Sequence, residues 1–516
     1  MLKKMRHHSI CCKFTLYGAV LLIAMCLSAS QISAKEQKQK IDSAAVINSQ
    51  RSALSTSRLV PRDVMRAKTG NRETDNIFSS FTTRQIQLIL NEYEKKLEKT
   101  RERKQKITQT SLDVAEQFLK VFPDSKVADE IAIRYADLYY EKVTEEYYAK
   151  RAPYDSAAAS FQNSEDYQNY LKQVDAWVAS GMDENKKPKL PDSAPVPPDP
   201  KLDEVIALYD RIINDMPQSP YVADALYGKA FILGERYGDY AALRTYQYER
   251  NMPNAKRWER REVEDKRREA IAVLGQIIRR FPDSRYIVDA YMLTGEYYFS
   301  SRRNQPKSTK DAIPYFQKAI DLIVKKGERS EYFNQALYKL GWSYYRLAEY
   351  PQAIVYFTQL VDEIEKAEEI FEGGMLPDYV RTDMKDEAME YIVACFVKIQ
   401  DQIDREKTAI ALIDNYFNSM PRKRYAPLIY EMLGESYERS LQTPEKINEV
   451  YTTLLRRYPN YERAPLVAYK VISQLDLQAR NGEKLGKELE ELETTLYEER
   501  KNLFYRYGRN SDWFKD

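Results

Sequence analysis

The chain has almost no histidine or cysteine with which to build a catalytic or metal site. Its 516 residues include two His and four Cys, and both histidines lie at the N-terminus together with Cys11, Cys12 and Cys26. Beyond residue 34 there is no His and a single Cys, Cys395. That part of the chain therefore lacks Ser-His-Asp and Cys-His catalysis, His-ligated metals, Cys-cluster zinc sites and internal disulfides. Cys395 lies in an apolar run, which predicts a buried small side chain.

Glycine is scarce as well, at 16 residues, and no stretch shows the strict alternation of a half-buried strand. Scarce glycine with abundant Ala, Leu, Glu, Lys and Arg favours helix. The sequence also has no Gly-rich phosphate loop and no EF-hand pattern. With 43% hydrophobic residues the chain is too apolar to be mostly disordered, and it is too long for one ordinary core. These features predict an all-α protein.

Residues 1–34 have the pattern of a secretory signal. Basic residues precede the apolar run Phe14–Leu27, and small residues suited to cleavage end at Ser30 or Ala34. Two alternatives stay open here, a retained anchor helix and a lipidated Cys26. The signal carries four basic and no acidic residues, so the net charge of +2 becomes −2 without it. A near-neutral, well-mixed chain lacks the basic footprint of a nucleic-acid-binding protein.

One kind of junction recurs along the chain: an amphipathic segment stops and an Ala- and Tyr-rich segment follows. Five junctions contain proline, which lacks the amide donor that a helix interior needs, and the sixth uses glycine. Their sites are Phe122-Pro123, Met216-Pro217, Phe281-Pro282, Gly327, Met420-Pro421 and Tyr458-Pro459. Recurrence at a few tens of residues predicts stacked helical hairpins.

The remaining organisation follows from composition. Residues 35–77 lack aromatics and predict a disordered tail, while 78–145 predict a long helix and a first hairpin. An insertion with a Pro-rich, extended linker spans 146–203. A repeat solenoid is expected over 204–480, interrupted by a charged insertion at 237–268 that predicts one projecting helix. Residues 481–516 predict a charged helix that caps the stack.

Residues 335–357, QALYKLGWSYYRLAEYPQAIVYF, resemble the tetratricopeptide repeat. Leu340-Gly341 stands at its tight helix contact, and Tyr344, Ala353 and Phe357 follow at the expected offsets. Looser copies lie around Gly295 and Gly434. The resemblance covers most of 107–480 and implies a right-handed superhelix of helical hairpins.

The variant with Phe-Pro-Asp-Ser before a Tyr-rich helix is similar to repeats of bacterial envelope proteins. Such relatives include outer-membrane-assembly lipoproteins of the BamD kind and Tol-Pal-associated coordinators of cell division. The resemblance implies a non-enzymatic periplasmic adaptor that binds a protein or extended peptide. It is compatible with peripheral association of the protein with a membrane, and it does not define the oligomeric state. This chain departs from those relatives in lacking a good lipobox, in its greater length and in its two insertions.

The resemblance also places candidate partner-binding residues on the first helices of the repeats within 286–440. They are Met292 and Phe299, then Tyr338, Trp342, Tyr345 and Arg346, then Glu435 and Arg439. Aromatic and Arg side chains dominate the binding energy of many interfaces, although aromatics at helical spacing also pack in cores. Peptidoglycan or glycan binding is the competing function. A helical-solenoid lytic transglycosylase is the remote enzymatic alternative, and we expect no enzyme and no cofactor because no pocket constellation accompanies Glu435-Ser436.

Overall fold

The structure is a computed structural model, and it describes most of the chain after residue 82. The described residues are 83–301, 305–327, 330–371, 376–377, 380–402, 407–480, 484–509, 511 and 514. Within these ranges all regular structure is helical, without strands, which confirms the all-α prediction. The predicted signal, the tail and Cys26 lie outside the described residues. The chain divides into two compact units. The first unit contains the residues up to 232 together with 236–258, and the second contains 233–235 together with the residues from 259 onward.

The first unit contains six α-helices with two short 3₁₀ segments among its described residues. They are α1 Thr83–Val121, α2 Ala128–Gln162, α3 Glu165–Ala179, α4 Leu202–Asp215, α5 Val222–Phe231 and α6 Ala241–Glu249, with 3₁₀ turns at Glu184–Lys186 and Tyr237–Tyr240. The core lies where α2, α4 and α5 meet, around Ile133, Ala136, Val205 and Tyr209. The long helix predicted within 78–145 and the first helix of the first hairpin are one continuous helix, α1, over the described residues.

The insertion at 146–203 is more ordered than its composition suggests. Helix α2 continues to Gln162 with Pro153 inside it. The segment 187–200 is non-helical, as predicted, but it is anchored rather than free. Leu190 is buried, its amide donates to the carbonyl of Glu249 at 2.8 Å, and Arg250 Nη1 donates to the Leu190 carbonyl at 2.6 Å.

The charged insertion at 237–268 does not form the single projecting helix that we expected. Helix α6 ends at Glu249, and Asn251 and Asn254 then adopt left-handed backbone, with φ of 54° and 61°. Asparagine tolerates this conformation better than most residues, and a left-handed residue such as Asn251 does not continue a right-handed helix. A new helix begins only at Arg261.

The second unit is a series of hairpins. Its α-helices are α7 Arg261–Arg280, α8 Ile287–Ser300, α9 Gln305–Lys326, α10 Glu331–Arg346, α11 Tyr350–Ile370, α12 Asp383–Gln402, α13 Ala409–Asn418, α14 Ala426–Arg439, α15 Pro444–Arg457, α16 Ala464–Arg480 and α17 Lys487–Tyr507. Each helix packs mainly against its neighbours in sequence, as in a solenoid.

The predicted junctions coincide with helix ends. Helices α1, α4, α7, α13 and α15 each stop two or three residues before the junction proline, and α9 stops directly before Gly327. At the third junction the Phe281 amide still donates to Ile277, and the Ser284 amide then donates to the Phe281 carbonyl at 3.0 Å. Proline suits the second position of such a turn because its φ is preset. The next hairpin therefore begins in a defined direction.

Small residues on the first helix of a hairpin let an aromatic ring of the second helix approach closely. A Cβ added at Gly341 would lie 2.6 Å from Phe357 Cε1, and the same relation links Gly295 to Phe316 and Gly434 to Tyr451. Phe316, Phe357 and Tyr451 are fully buried. Cys395 of α12 is also fully buried, as predicted. The glycine–ring contacts lie within the cores of three hairpins, α8 with α9, α10 with α11 and α14 with α15.

Candidate functional site

The candidates Trp342 and Glu435 belong to a row of contacts that joins the first helices of successive hairpins, from α8 to α12 and from α14 to α16. We call this row the ladder. From α8 to α10, Glu296 binds Lys339 at 2.9 Å. From α10 to α12, the Trp342 and Tyr391 rings lie 4.4 Å apart. From α14 to α16, Glu435 accepts from Lys470 Nζ at 2.8 Å. The ladder is thus aromatic between α10 and α12, and charged on either side of that section.

The aromatic section consists of four rings in contact with one another. Trp342 lies 6.4 Å from Tyr338 and 5.8 Å from Tyr345, in edge-to-face geometry. Tyr391 of α12 contacts Trp342 and Tyr345. All four side chains are half-buried and pack against the core of the unit. They therefore contribute to packing, as one interpretation of the sequence predicts, and they also leave aromatic surface accessible to a partner.

The hydroxyl of Tyr338 fixes the edge of this section. Burial, together with a hydrogen bond to Glu387 of α12, raises the pKa of Tyr338 to about 12. The hydroxyl therefore stays protonated at physiological pH and acts as a donor to the carboxylate. Glu387 and the exposed Glu390 add negative charge beside the rings.

Arg346 is held at the α8 side of the aromatic section. Its Nη1 donates to the Phe299 carbonyl at 3.0 Å, and its guanidinium carbon lies 3.7 Å from the centre of the Phe299 ring. Desolvation lowers the pKa of Arg346, although the group stays charged at neutral pH. Despite these contacts Arg346 remains exposed, which suits a residue that binds a partner's carboxylate or carbonyl.

Two of the candidates lie in the core rather than on the surface. Met292 is 3% exposed and Phe299 is 8% exposed, and both pack with Phe316 and Leu340. The Phe299 ring is further covered by Arg346 and by Lys339, 5.0 Å away. Neither side chain offers a partner more than a small area, because α9 and α10 cover them.

The charged section around α14 is mostly self-paired. Glu431 is fully buried, accepts from the Tyr461 hydroxyl at 2.7 Å and lies 2.9 Å from Arg463 Nη2. Glu435 is half-buried and bound by Lys470, while Arg439 is exposed at the end of α14. Because Tyr461 and Arg463 directly precede α16, the buried Glu431 carboxylate links α14 to the start of the next hairpin.

The sequence analysis missed Tyr391, Glu387 and Lys470. Each touches a candidate on the preceding first helix and lies 35 residues or more further along the chain. A helical face read within one repeat cannot include such partners. The hairpin-to-hairpin spacing, applied from Trp342 and Glu435 to the next first helix, is the signal that points to them.

The described residues contain no cluster of His, Cys, Asp or Glu suited to a metal ion. A shallow cleft of about 290 Å³ lies beside Glu365, Glu368 and Lys385. Lys385 Nζ lies 2.5 Å and 2.6 Å from the two carboxylates, and Arg424 lies 3.1 Å from Glu369. Each of these carboxylates is thus paired with a cation of the fold, although the three carboxylates outnumber the two cations. Over the part of the chain with assigned structure, no helix has the length and hydropathy to cross a membrane.

Comparison with known proteins identifies one segment. Residues 335–363 match the family model described as tetratricopeptide repeat. This match includes Gly341, Phe357 and three of the aromatic candidates. Tetratricopeptide repeats are protein-interaction units, so the segment supports an interaction scaffold.

Among solved structures, the crystal structure of the P58(IPK) TPR domain is similar at 12% identity. The match covers 77% of this chain and 98% of that one, with a TM-score of 0.17. None of the curated proteins compared with the chain matches it.

Proposed function

We propose that the protein is a non-enzymatic scaffold of the bacterial envelope. In this proposal the aromatic section of the ladder binds an extended peptide or a protein segment. The observation that carries it is the arrangement of Tyr338, Trp342, Tyr345 and Tyr391 on adjacent first helices, half-buried and in mutual contact. Rigid aromatic surface contributes binding energy at a small entropic cost.

The flanking polar groups favour a peptide over an apolar ligand. Arg346 is fixed at one side of the rings, and Glu387 and Glu390 lie on the other. A peptide that crosses the section would place its apolar side chains on the rings. Its backbone carbonyls or an acidic side chain would face Arg346, and a basic side chain would face the two glutamates. Opposite charges at the two ends would fix the direction of the peptide.

The test compares two aromatic truncations on the same helix. Trp342→Ala removes the ring at the centre of the section. Tyr344→Ala removes a ring of α10 that instead stacks on Tyr356 of α11, 5.3 Å away, and is therefore the matched control for lost packing. Proteins captured from envelope extract by the wild type would be identified, purified and titrated against both variants. We expect Trp342→Ala to weaken binding at least about tenfold and Tyr344→Ala to change it little.

The same experiment can refute the proposal. Circular dichroism first establishes that both variants fold. If Trp342→Ala folds and retains every partner with unchanged affinity, the aromatic section is not the binding site. Purified sacculi form a separate arm: retention of the wild type by sacculi without any protein partner, and its loss in Trp342→Ala, would favour glycan binding instead.

The envelope location rests on the pattern of residues 1–34, namely basic residues, an apolar run and small residues at two cleavage positions. We propose that the chain is exported to the periplasm. Fractionation of cells that express the full-length chain tests this, with N-terminal sequencing of the product. Recovery of uncleaved chain from the cytosol would contradict export, and incorporation of labelled fatty acid would identify Cys26 as a lipid anchor.

A further inference from the structure

The last hairpin, α16 with α17, exposes large apolar side chains where we expected a polar cap. Tyr497 is 65% exposed and Phe504 73% exposed on α17, and Tyr469 is 59% exposed on α16. Leu466 and Leu477 of α16 are also exposed. We call these five residues the end face. Leu492 and Leu496 of α17 are buried, so an inward apolar stripe of this helix adjoins the exposed aromatic one.

An ion pair shows that the exposed residues of the two helices lie on one side of the hairpin. Arg500 of α17 binds Asp476 of α16 at 3.1 Å. Tyr497 and Phe504 lie three residues before and four residues after Arg500, which places all three on one helical stripe. Tyr469 lies two turns before Asp476 and shares its stripe in the same way. The end face therefore includes both helices: Tyr469, Tyr497 and Phe504 lie on the stripes joined by this ion pair, and Leu466 and Leu477, eleven residues apart, lie on the adjoining stripe of α16.

The end face is large for a monomer. From the exposed fractions of its three aromatic and two leucine side chains, it presents on the order of 600 Å² of side-chain surface. This is at the upper end of the largest apolar patch of a typical monomer, about 300–600 Å². It is also close to the ~800 Å² that each partner buries in a standard interface, which a surrounding polar rim would complete.

The ion pairs around the end face contain both signs, with three basic and two acidic side chains. Asp476 is shared between Arg500 and Arg480, at 3.1 and 2.6 Å, and Lys501 lies 3.3 Å from Glu498. A surface dominated by one sign would repel a copy of itself, and this surface does not. In a two-fold pair, each copy presents the same patch to the other, so a hairpin face that carries both signs can set charges of one copy against opposite charges of the other.

We propose that the end face is a dimer interface, in which a second copy of this chain covers Tyr469, Tyr497 and Phe504. The second copy supplies what each internal hairpin receives from its successor, namely an apolar helical surface. In α14 and α15, for example, Tyr430, Val450 and Leu454 are buried within the stack, whereas Tyr469, Tyr497 and Phe504 of the α16–α17 hairpin are exposed.

Sedimentation equilibrium of the purified full-length chain tests this proposal over a range of concentrations. We expect a monomer–dimer equilibrium, and we expect Phe504→Ser with Tyr497→Ser to weaken dimerisation at least about tenfold. Tyr93→Ser is the matched control, because Tyr93 of α1 is 69% exposed and lies far from this hairpin in sequence. Tyr469→Lys repeats the test from α16, with a charge that the copy would have to bury.

Hydrogen–deuterium exchange locates the interface independently of any variant. Amides of 464–480 and 497–507 should become more protected as the concentration of the wild type rises. A wild type that is monomeric at every concentration overturns the proposal. A dimer that withstands both the Phe504→Ser, Tyr497→Ser pair and Tyr469→Lys also overturns it, because the contact would then lie elsewhere.

Discussion

The close approach of Gly341 to Phe357 makes a Gly→Ala substitution a sensitive probe of hairpin packing. An Ala Cβ at 341 would lie 2.6–2.8 Å from three atoms of the Phe357 ring, well inside van der Waals contact. The ring is fully buried and has little room to move. Overpacking of this kind costs about 1–3 kcal/mol. Alanine also gains about 1 kcal/mol over glycine in a helix interior, so the expected net change is a loss of roughly 1 kcal/mol in the free energy of unfolding.

Gly275 of α7 is the matched control, because it lies inside a helix of the same unit. Its added Cβ would meet only the Arg279 guanidinium, with Nη1 nearest at 3.1 Å, and this end of a flexible side chain can move aside. Gly275→Ala should therefore raise the free energy of unfolding by about 0.5–1 kcal/mol. The two identical substitutions are expected to shift the urea midpoint in opposite directions.

A double-mutant cycle isolates the contact itself. In a Phe357→Leu background, the shorter side chain leaves room for the new Cβ, so Gly341→Ala should lose most of its destabilising effect. Urea denaturation followed by circular dichroism at 222 nm measures all four variants. If Gly341→Ala stabilises the protein as much as Gly275→Ala does, the inferred packing of α10 against α11 is incorrect.

Two further predictions concern buried groups outside the ladder. Burial raises the pKa of the Cys395 thiol to about 12, so thiol reagents should label it only after unfolding. Since its folded pKa lies above its unfolded value of about 8.5, the thiol should stabilise the fold fully below pH 8.5. This contribution should fall by about 1.4 kcal/mol per pH unit above that, and Cys395→Ala should make the measured decline of the urea midpoint with pH shallower. Leu190→Ser should release the segment 187–200 and speed tryptic cleavage there. Val196→Ser is the control and should not change the cleavage rate, because Val196 is 67% exposed. Equal cleavage rates in the two variants would argue against anchoring by Leu190.

Much of the fold could be predicted because residues that pack together within a repeat are separated by a short, regular distance in the sequence. Gly341 and Phe357 are 16 residues apart and face each other across one hairpin, so a single copy of the pattern contains both partners. Proline at the junctions marks helix ends for a reason that acts within one turn. Element boundaries that depend on neighbouring helices were harder. Helix α2 continues through Pro153, and α1 merges two expected helices, and neither result follows from local preference.

The candidate site could be predicted only in part. Counting along one helix placed Tyr338, Trp342 and Tyr345 on one face, and the structure joins them in one cluster. The same counting placed Met292 and Phe299 on that face, yet α9 and α10 bury them, since coverage depends on the helices that follow. For α17, charged residues suggested a polar cap, but aromatic residues spaced seven apart form an apolar stripe among those charges.

The ladder has a consequence for how this surface can change in evolution. Glu435 and Lys470 belong to different hairpins, and the pair is part of both the stack and the surface beside the candidate site. A change at one of them alone leaves a half-buried charge without its counterion. New recognition properties would therefore arise through paired substitutions, such as an exchange of sign between α14 and α16. Related chains should accordingly show these two positions varying together, and should show the same for Trp342 and Tyr391.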